Sequence, residues 1–163
     1  MINYYKGDIE PGKNIVFVFG SNPIGINGNR RKRTGGAALV AVEKFGVGEH
    51  EVMNNCLSKS GHAYGLVTVT APGRKRSISK EQLFQNVCKL YNLAWKNPQL
   101  KFMVAYRNVD TASLNGYTGR ELMKIFSGAF IPPNVYFSEE WYKSGGLERV
   151  DILSAPDLFP KNL

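Results

Sequence analysis

The pattern of hydrophobic positions along the chain predicts strands that alternate with helices. Near-continuous apolar runs, typical of inner strands that are covered on both faces, occur at four places. The predicted strands are Asn14–Phe19, Tyr64–Thr70, Lys101–Tyr106 and Asn134–Phe137. Strands that alternate with helices predict an α/β fold, in which a mostly parallel central sheet lies between two helical layers.

The helices are predicted from apolar spacing and from their capping residues. They are Gly36–Phe45, a long helix from Ser79 to Asn97-Pro98, and Gly119–Phe126. Ser79 with Gln82, and Thr118 with Glu121, have the spacing of capping boxes at helix starts. One apolar stripe at helical spacing is predicted for the long helix: Leu83, Val87, Leu90, Tyr91 and Ala94.

Length and composition predict a single globular domain that spans the whole chain. The chain has 163 residues, of which 43% are hydrophobic and 21% charged. No apolar run is long enough to span a membrane and the N-terminus lacks a signal-peptide pattern, so we expect a cytoplasmic protein without a membrane partner. We expect the segment Ser138–Leu163 to pack over an edge of the sheet. Cys56 and Cys88 are expected to be reduced, buried thiols, and neither a metal site nor a cofactor is expected.

The positive charge is concentrated in two loops. The formal net charge is +8 at pH 7, and both cation clusters come shortly after a predicted strand. The clusters are Arg30-Arg31-Lys32-Arg33 and Arg74-Lys75-Arg76. A basic balance of this kind favours phosphates, nucleotides or nucleic acids as partners. The alternative is a solvated surface that only keeps the protein soluble.

The segment Gly20–Gly36 has the composition of an anion-binding loop. Glycines allow a backbone to turn its N–H groups inward, and a helix that begins at Gly35-Gly36 adds unpaired N–H groups and a positive dipole end. Ala37-Ala38 follows the glycines, where a Walker motif has lysine and serine or threonine. The segment also lacks a GxGxxG motif with its acidic partner, which disfavours a nucleoside triphosphatase or a nicotinamide dehydrogenase.

A second glycine-bearing loop, Asn108–Thr118, also leads into a helix. Tyr117 is a candidate to cover a ribose or phosphate, and Asn115 a candidate to bind a hydroxyl group. The alternative is an ordinary turn with Tyr117 packed on the sheet. Because the carboxyl ends of parallel strands meet at one edge, the two loops suggest a pyrophosphate held from two sides.

Four segments carry a resemblance to a known family. They are "KGDI" at Lys6–Ile9, "VFGSN" at Val18–Asn22, "TGGAALVAV" at Thr34–Val42 and "ASLNGYTGRELMKIF" at Ala112–Phe126. In this order the segments resemble a macrodomain, the ADP-ribose-binding α/β/α fold. The greatest similarity is to a small macrodomain-like group of bacteria and their phages, which would place a phage-encoded chain in the host cytoplasm.

The resemblance implies a role for each matched residue. Asp8 and Ile9 would seat the adenine, and Asn22 would orient the distal ribose. The two glycine-bearing loops would hold the diphosphate through Gly35, Gly36, Ala37, Asn115, Gly116 and Tyr117. The run Asn29–Thr34 resembles an insertion in the first loop.

The resemblance makes hydrolysis of an ADP-ribose derivative the leading functional hypothesis. The substrate would be an ADP-ribosylated macromolecule or ADP-ribose-1″-phosphate. Thr70 and Asn115 stand near the positions where related hydrolases often have a lysine and an aspartate. The candidate catalytic residues are therefore Asn22 and, more weakly, Asp110, with His62 as a further residue that could face the cleft.

Two other functions remain open. The chain could be a non-catalytic reader of ADP-ribosylation, or a sponge for an ADP-ribose-derived signal. It could instead bind nucleic acid through its basic loops, with Arg30, Arg31, Arg33 and Arg74 at the rim of the cleft. The cations could also hold an ADP-ribosylated nucleic acid or protein. The oligomeric state is not predicted.

Overall fold

A computed structural model describes residues 2–148 of the chain. These residues form six strands and four helices. In chain order they are β1 (Asn3–Tyr5), β2 (Ile15–Ser21), α1 (Ala37–Lys44), β3 (Cys56–Leu57), β4 (Ala63–Val67), α2 (Lys80–Lys96), β5 (Lys101–Val104), α3 (Gly119–Phe126), β6 (Val135–Ser138) and α4 (Glu139–Ser144). The expected α/β class is confirmed.

The strands form one mostly parallel sheet in the order β1-β6-β5-β2-β4-β3. Its neighbouring strands run parallel, apart from β3, which pairs antiparallel with β4. In the middle of the sheet, Val18 lies opposite Tyr64 of β4 and Val104 of β5. The parallel arrangement brings the loops after β2, β4 and β5 to the same edge, where ligands of such sheets bind.

Apolar packing covers both faces of β2. Val16 and Val18 belong to a core cluster with buried residues of α2 and α3. Phe17 and Phe19 alternate with them and belong to a second cluster, with buried residues of α1. Successive side chains of a strand point to opposite faces, so the unbroken apolar run reflects a strand buried on both sides.

The predicted strands are present with shifted ends. The strand predicted at Tyr64–Thr70 begins at Ala63 and ends at Val67. Beyond that point the Thr68 amide still donates to the Ser21 carbonyl of β2, but the Thr70 amide donates to Ser77 Oγ and the chain turns away. The predicted Lys101–Tyr106 strand likewise ends at Val104.

The helices agree more closely with the sequence. The helix at Gly119–Phe126 has the predicted bounds, and both hydrogen bonds of the capping box between Thr118 and Glu121 are present. At the start of α2, Ser79 accepts a hydrogen bond from the Gln82 amide. The predicted stripe of α2 is buried at all of its positions: Leu83, Val87, Leu90, Tyr91 and Ala94.

Three elements were not predicted: β1, β3 and α4. The first two are short edge strands, and "NYY" in β1 lacks an apolar run. Helix α4 supports the expectation that the C-terminal segment packs over an edge: Trp141 is buried in the core and Tyr142 stacks on Tyr4 of β1. The rest of that segment, residues 149–163, lies outside the described residues.

The two cysteines differ in environment. Both are free thiols, but Cys56 is exposed, so the expectation that it is buried was wrong. It lies on β3, a two-residue strand at the edge of the sheet. Cys88 is buried on α2, and burial raises the pKa of its thiol to about 11. None of the helices within residues 2–148 combines the length and apolar character that a membrane crossing needs.

Candidate ligand-binding site

A cavity of about 520 Å³ lies between α1 and the segments that follow β1 and β5. Its lining comes from four parts of the chain: Asp8 and Ile9; Phe17; Ala37, Val40, Glu43 and Lys44; Ala105 and Arg107. Three of these, Asp8, Ile9 and Ala37, are predicted ligand-binding residues from two distant segments. The fold therefore brings them to one cavity of the size that small-molecule ligands fill.

Arg107 organises the side of the cavity that carries Asp8. Its guanidinium donates a hydrogen bond to the Gly7 carbonyl and lies 3.6 Å from the Asp8 carboxylate. The same group lies 5.7 Å from the centre of the Tyr5 ring. The Tyr5 hydroxyl donates to the Val104 carbonyl at 2.6 Å, which ties β1 to β5 across the sheet. Sequence reasoning missed Arg107, because its contacts span 100 positions of the chain.

The N-terminus of α1 lacks a side-chain cap. Its N-cap is Gly36, whereas Ser79, Thr118 and Ser138 cap the other described helices through their hydroxyl groups. Within residues 2–148 the backbone amides of Gly35, Gly36, Ala37 and Leu39 have no acceptor. Unpaired amides at a helix N-terminus are donors for an anion, and Ala37 places them beside the cavity.

Gly35 and Gly36, at the start of α1, are glycines for different structural reasons. A side chain on Gly35 would collide with the Cα of Gly28, so the loop can close only with glycine there. Gly36 has a φ of 54°, which favours glycine, and a Cβ there would lie 3.4 Å from Leu114 Cδ1. The Leu114 contact shows that the two glycine-bearing loops meet, as their position at the carboxyl edge predicted.

Two residues of the second loop that were predicted to hold the diphosphate, Gly116 and Tyr117, do not have free amides. The Gly116 amide donates to the Ser113 carbonyl, and the Tyr117 amide donates to Asn115 Oδ1. Between Ser113 and Thr118, the amides without an acceptor are those of Leu114 and Asn115. A ligand held by backbone donors would therefore meet the amides of Leu114 and Asn115 rather than those of Gly116 and Tyr117.

Tyr117 is part of the core and does not line the cavity. Its side chain is buried, its hydroxyl donates to the Ile78 carbonyl at 2.5 Å, and the Arg76 guanidinium lies 4.7 Å from its ring centre. The alternative that Tyr117 packs on the sheet is confirmed. Its assignment as a residue that covers the ligand is therefore corrected.

The hydroxyl of Tyr106 lies where β2, β4 and the second loop converge. It accepts a hydrogen bond from Asn115 Nδ2 at 3.4 Å, and a Cβ on Gly20 would lie within 3 Å of both Tyr106 and Thr68. Burial raises the pKa of Tyr106 to about 12, although hydrogen bonds with Thr68 and Asn115 lower it. The hydroxyl therefore stays protonated near neutral pH and can donate a hydrogen bond.

Asn22 is committed to the loop that follows β2. Its Oδ1 accepts hydrogen bonds from the amides of Ile24, Gly25 and Ile26 at 3.0 to 3.3 Å, while its Nδ2 donates to the Ile26 carbonyl. The side chain is buried. The prediction that Asn22 orients a ribose is thus opposed by its contacts, since the amide group is engaged in shaping the turn.

The weaker catalytic candidates lie away from the cavity. Asp110 is exposed and accepts a hydrogen bond from Arg120 Nε at 2.6 Å. His62 precedes β4, so it lies at the amino end of the parallel strands, and its Nδ1 is 3.4 Å from the Ile15 carbonyl. Neither residue lines the cavity, and the idea that His62 faces the cleft is wrong.

The cation run of the first loop forms the tip of a small hairpin. Asn29 and Thr34 exchange two backbone hydrogen bonds, and the four cations lie between them. Arg30 donates to the Val42 carbonyl and lies 3.6 Å from Glu49, while Arg33 pairs with Glu43. The hairpin therefore lies along α1, and two of the predicted rim cations, Arg30 and Arg33, are engaged by the chain itself.

The other arginines of the two cation clusters differ in whether they form ion pairs. Arg31 makes no ion pair within residues 2–148, and neither does Arg74 in the loop between β4 and α2. Arg76 in that loop forms two hydrogen bonds with Glu121 of α3, and its amide donates to the Asn115 carbonyl. Arg31 and Arg74 thus remain available to a polyanion. Arg76 connects the loop between β4 and α2 to the second glycine-bearing loop.

Comparisons with models of protein families, with curated proteins and with solved structures gave no match.

Proposed function

We propose that the chain is a macrodomain-like protein, with three layers in α/β/α order, that binds ADP-ribose or a derivative of it. The observation that carries the proposal is the cavity that unites Asp8, Ile9 and Ala37. The packing of α1 on one face of β2, and of α2 and α3 on the other, supports the three-layer arrangement.

The chemistry of the cavity suits an adenine ring. Apolar walls from Ile9, Phe17 and Val40 match the faces of a flat heterocycle. The Asp8 carboxylate supplies an acceptor for the exocyclic amino group of adenine. The Arg107 guanidinium, which donates to the Gly7 carbonyl, lies 3.6 Å from that carboxylate.

The unbonded backbone amides suit a diphosphate next to that adenine. One set lies at the start of α1, where the helix dipole adds to the attraction for an anion. The other set comprises Leu114 and Asn115, in the loop that touches Gly36. Donors that approach from two loops can hold both phosphates without a cationic side chain.

Binding without hydrolysis is the version that the contacts favour. Asn22 has its side-chain amide engaged in the turn, and Asp110 is paired with Arg120 outside the cavity. No carboxylate is left beside the expected position of the distal ribose among the predicted residues. The chain would then act as a reader of ADP-ribosylation or as a sponge for an ADP-ribose-derived signal.

The adenine assignment is tested by calorimetric titration with ADP-ribose and with its inosine counterpart, which lacks the amino group. The unaltered protein should bind ADP-ribose more tightly by about tenfold, the value of one lost hydrogen bond to a charged acceptor. Asp8→Ala should abolish this preference. Glu10→Ala is the matched control, because Glu10 is exposed in the same segment and pairs with Lys44 at 3.6 Å. An unchanged preference in Asp8→Ala would contradict the adenine assignment.

Hydrolysis is tested separately by single-turnover incubation with an ADP-ribosylated protein or nucleic acid. We expect the protein to bind the modified substrate without releasing ADP-ribose. Release of ADP-ribose by the unaltered protein would reinstate the hydrolase hypothesis and reject the reader.

A further inference from the structure

A second cleft, of about 490 Å³, lies beside α2, and most of its lining residues have polar side chains. Its lining is Asn54, Asn55, Val67, Thr70, Ser77, Ile78, Ser79, Gln82, Asn86 and Lys89. Ser79, Gln82, Asn86 and Lys89 follow each other at helical spacing, so they share one face of α2. The cleft shares no lining residue with the cavity beside α1.

Part of this polar lining holds the fold together. The Val67 amide donates to Asn55 Oδ1 at 2.9 Å, and the Val67 carbonyl accepts from Asn86 Nδ2 at 2.9 Å. Gln82 Nε2 in turn donates to Asn86 Oδ1 at 3.1 Å. The Asn55 and Asn86 side chains thus bond to the backbone of Val67, the last residue of β4. These hydrogen bonds fix the positions of their amide groups.

The remaining amide atoms are unused. Within the described residues, Asn55 Nδ2 and Gln82 Oε1 have no hydrogen-bond partner, and the Asn54 side chain has none. The cleft therefore presents both donors and acceptors from amide groups, and it has no carboxylate in its lining. Amide side chains pair in bidentate fashion with the donor and acceptor edges of nucleobases.

Three cations accompany these amides. Lys89 lines the cleft, while Arg74 and Lys75 lie in the loop between Thr70 and Ser77, which forms one wall. All three are exposed, and none makes an ion pair within residues 2–148. Exposed cations without acidic partners are available for phosphate groups.

We propose that this cleft binds single-stranded nucleic acid, with a base edge against the free amides and the phosphate backbone on Lys89, Arg74 and Lys75. We favour a single strand because its unstacked bases can turn out from the backbone and place an edge in the cleft. The proposed contacts use residues other than those assigned to ADP-ribose, although the loop that carries Arg74 and Lys75 packs against Asn115 and Gly116 of the second loop.

The lining also predicts whether binding depends on the base sequence. It contains no aromatic side chain, so the stacking that makes many single-strand binders tolerant of sequence is absent from the described cleft. Recognition through amide groups depends on the pattern of donors and acceptors. Affinity should therefore vary with base identity.

The phosphate contacts are tested by fluorescence anisotropy with short single-stranded DNA and RNA of the same sequence, across a range of salt concentrations. The variant with Lys89→Gln, Arg74→Gln and Lys75→Gln should reduce the slope of log affinity against log salt by about 2, or about 0.7 for each contact. The control changes Lys13, Lys59 and Lys124 to Gln, three exposed lysines that make no ion pair within residues 2–148, and it has the same net charge. Equal losses in the two variants, or no binding at all, would overturn the proposal.

The base contact is tested with an abasic strand. The unaltered protein should bind the abasic strand more weakly by about tenfold, at the lower end of the effect of a bidentate base contact. Asn54→Ala with Gln82→Ala, both at exposed positions, should remove this difference while leaving the salt slope unchanged. Equal binding of normal and abasic strands by the unaltered protein, or tighter binding of duplex, would reject the cleft as a base site. The difference in affinity between the RNA and the DNA shows which of the two nucleic acids the cleft prefers.

Discussion

At the scale of single residues, Gly36 best shows how backbone geometry and binding are connected. Its φ of 54° lies in the left-handed region, and it is the N-cap of a helix without a side-chain cap. The Leu114 side chain stands opposite it, so this position controls the distance between the two loops. A methyl group at this position would strain the backbone and would change the distance between the free amides of the two loops.

We predict that Gly36→Ala weakens ADP-ribose binding by about tenfold, the equivalent of one charge-assisted hydrogen bond. Gly61→Ala is the matched control, because Gly61 has a φ of 77° and a Cβ there would meet no atom within 4 Å. Both variants should lose about 1 kcal/mol of stability through backbone strain. Calorimetry and urea unfolding measure the two effects, and equal affinities in the two variants would show that the α1 amides do not contact the ligand.

At the scale of elements, α3 is fixed to the neighbouring loop through Glu121. Its carboxylate accepts from the Thr118 amide at 3.0 Å, from Arg76 at 2.6 Å, and lies 2.9 Å from Lys80 Nζ. The Thr118 amide, followed by Arg76 and Lys80, lowers the pKa of Glu121 to about 2. The start of α3, which follows the second loop, is therefore stabilised by a charged carboxylate.

This depressed pKa sets a pH window for stability. The ionised Glu121 contributes fully above its ordinary pKa of 4.5, and the contribution disappears as the pH falls towards 2. Glu121→Gln should cost about 1 kcal/mol at neutral pH, the usual value of a lost capping contact, and progressively less at acidic pH. Urea unfolding at several pH values checks this against Glu81→Gln, an exposed glutamate in the first turn of α2. A cost for Glu121→Gln that is independent of pH would contradict the assignment.

Elements with a strong local signal could be predicted, whereas those defined by distant contacts could not. The apolar run in β2 and the spacing of Thr118 and Glu121 are local, and both elements are present. Strand β1 has only three residues and exists because β6 lies beside it. Tyr117 was misassigned because its partner, Ile78, is 39 positions away.

At the scale of the whole molecule, the composition indicates a polyanionic partner, and the structure offers two separate clefts that could bind one. The cavity beside α1 presents apolar walls and free amides, while the cleft beside α2 presents amide side chains and unpaired cations. The net charge of +8 predicted a polyanionic partner without giving its position. Two of the four cations in the first loop are engaged with α1 and the loop after it, which spacing could not reveal.

The candidate site was predictable in part. The positions of Asp8, Ile9 and Ala37 came from resemblance and from the glycine pattern, and the fold brings them to one cavity. Arg107 was missed, because an arginine after a strand carries no local signal of its contact with Gly7. The engagement of the Asn22 amide likewise depends on the shape of the following turn.

Placement of the ADP-ribose diphosphate between the two loops is tested by nuclear magnetic resonance of the ¹⁵N-labelled protein during titration with ADP-ribose. We expect large shifts for the internally unbonded amides and smaller shifts for the bonded amides of Gly116 and Tyr117. The unbonded amides are those of Gly35, Gly36, Ala37, Leu39, Leu114 and Asn115. Saturable binding that leaves these six amides unshifted, or no shifts anywhere in the protein, would contradict this placement.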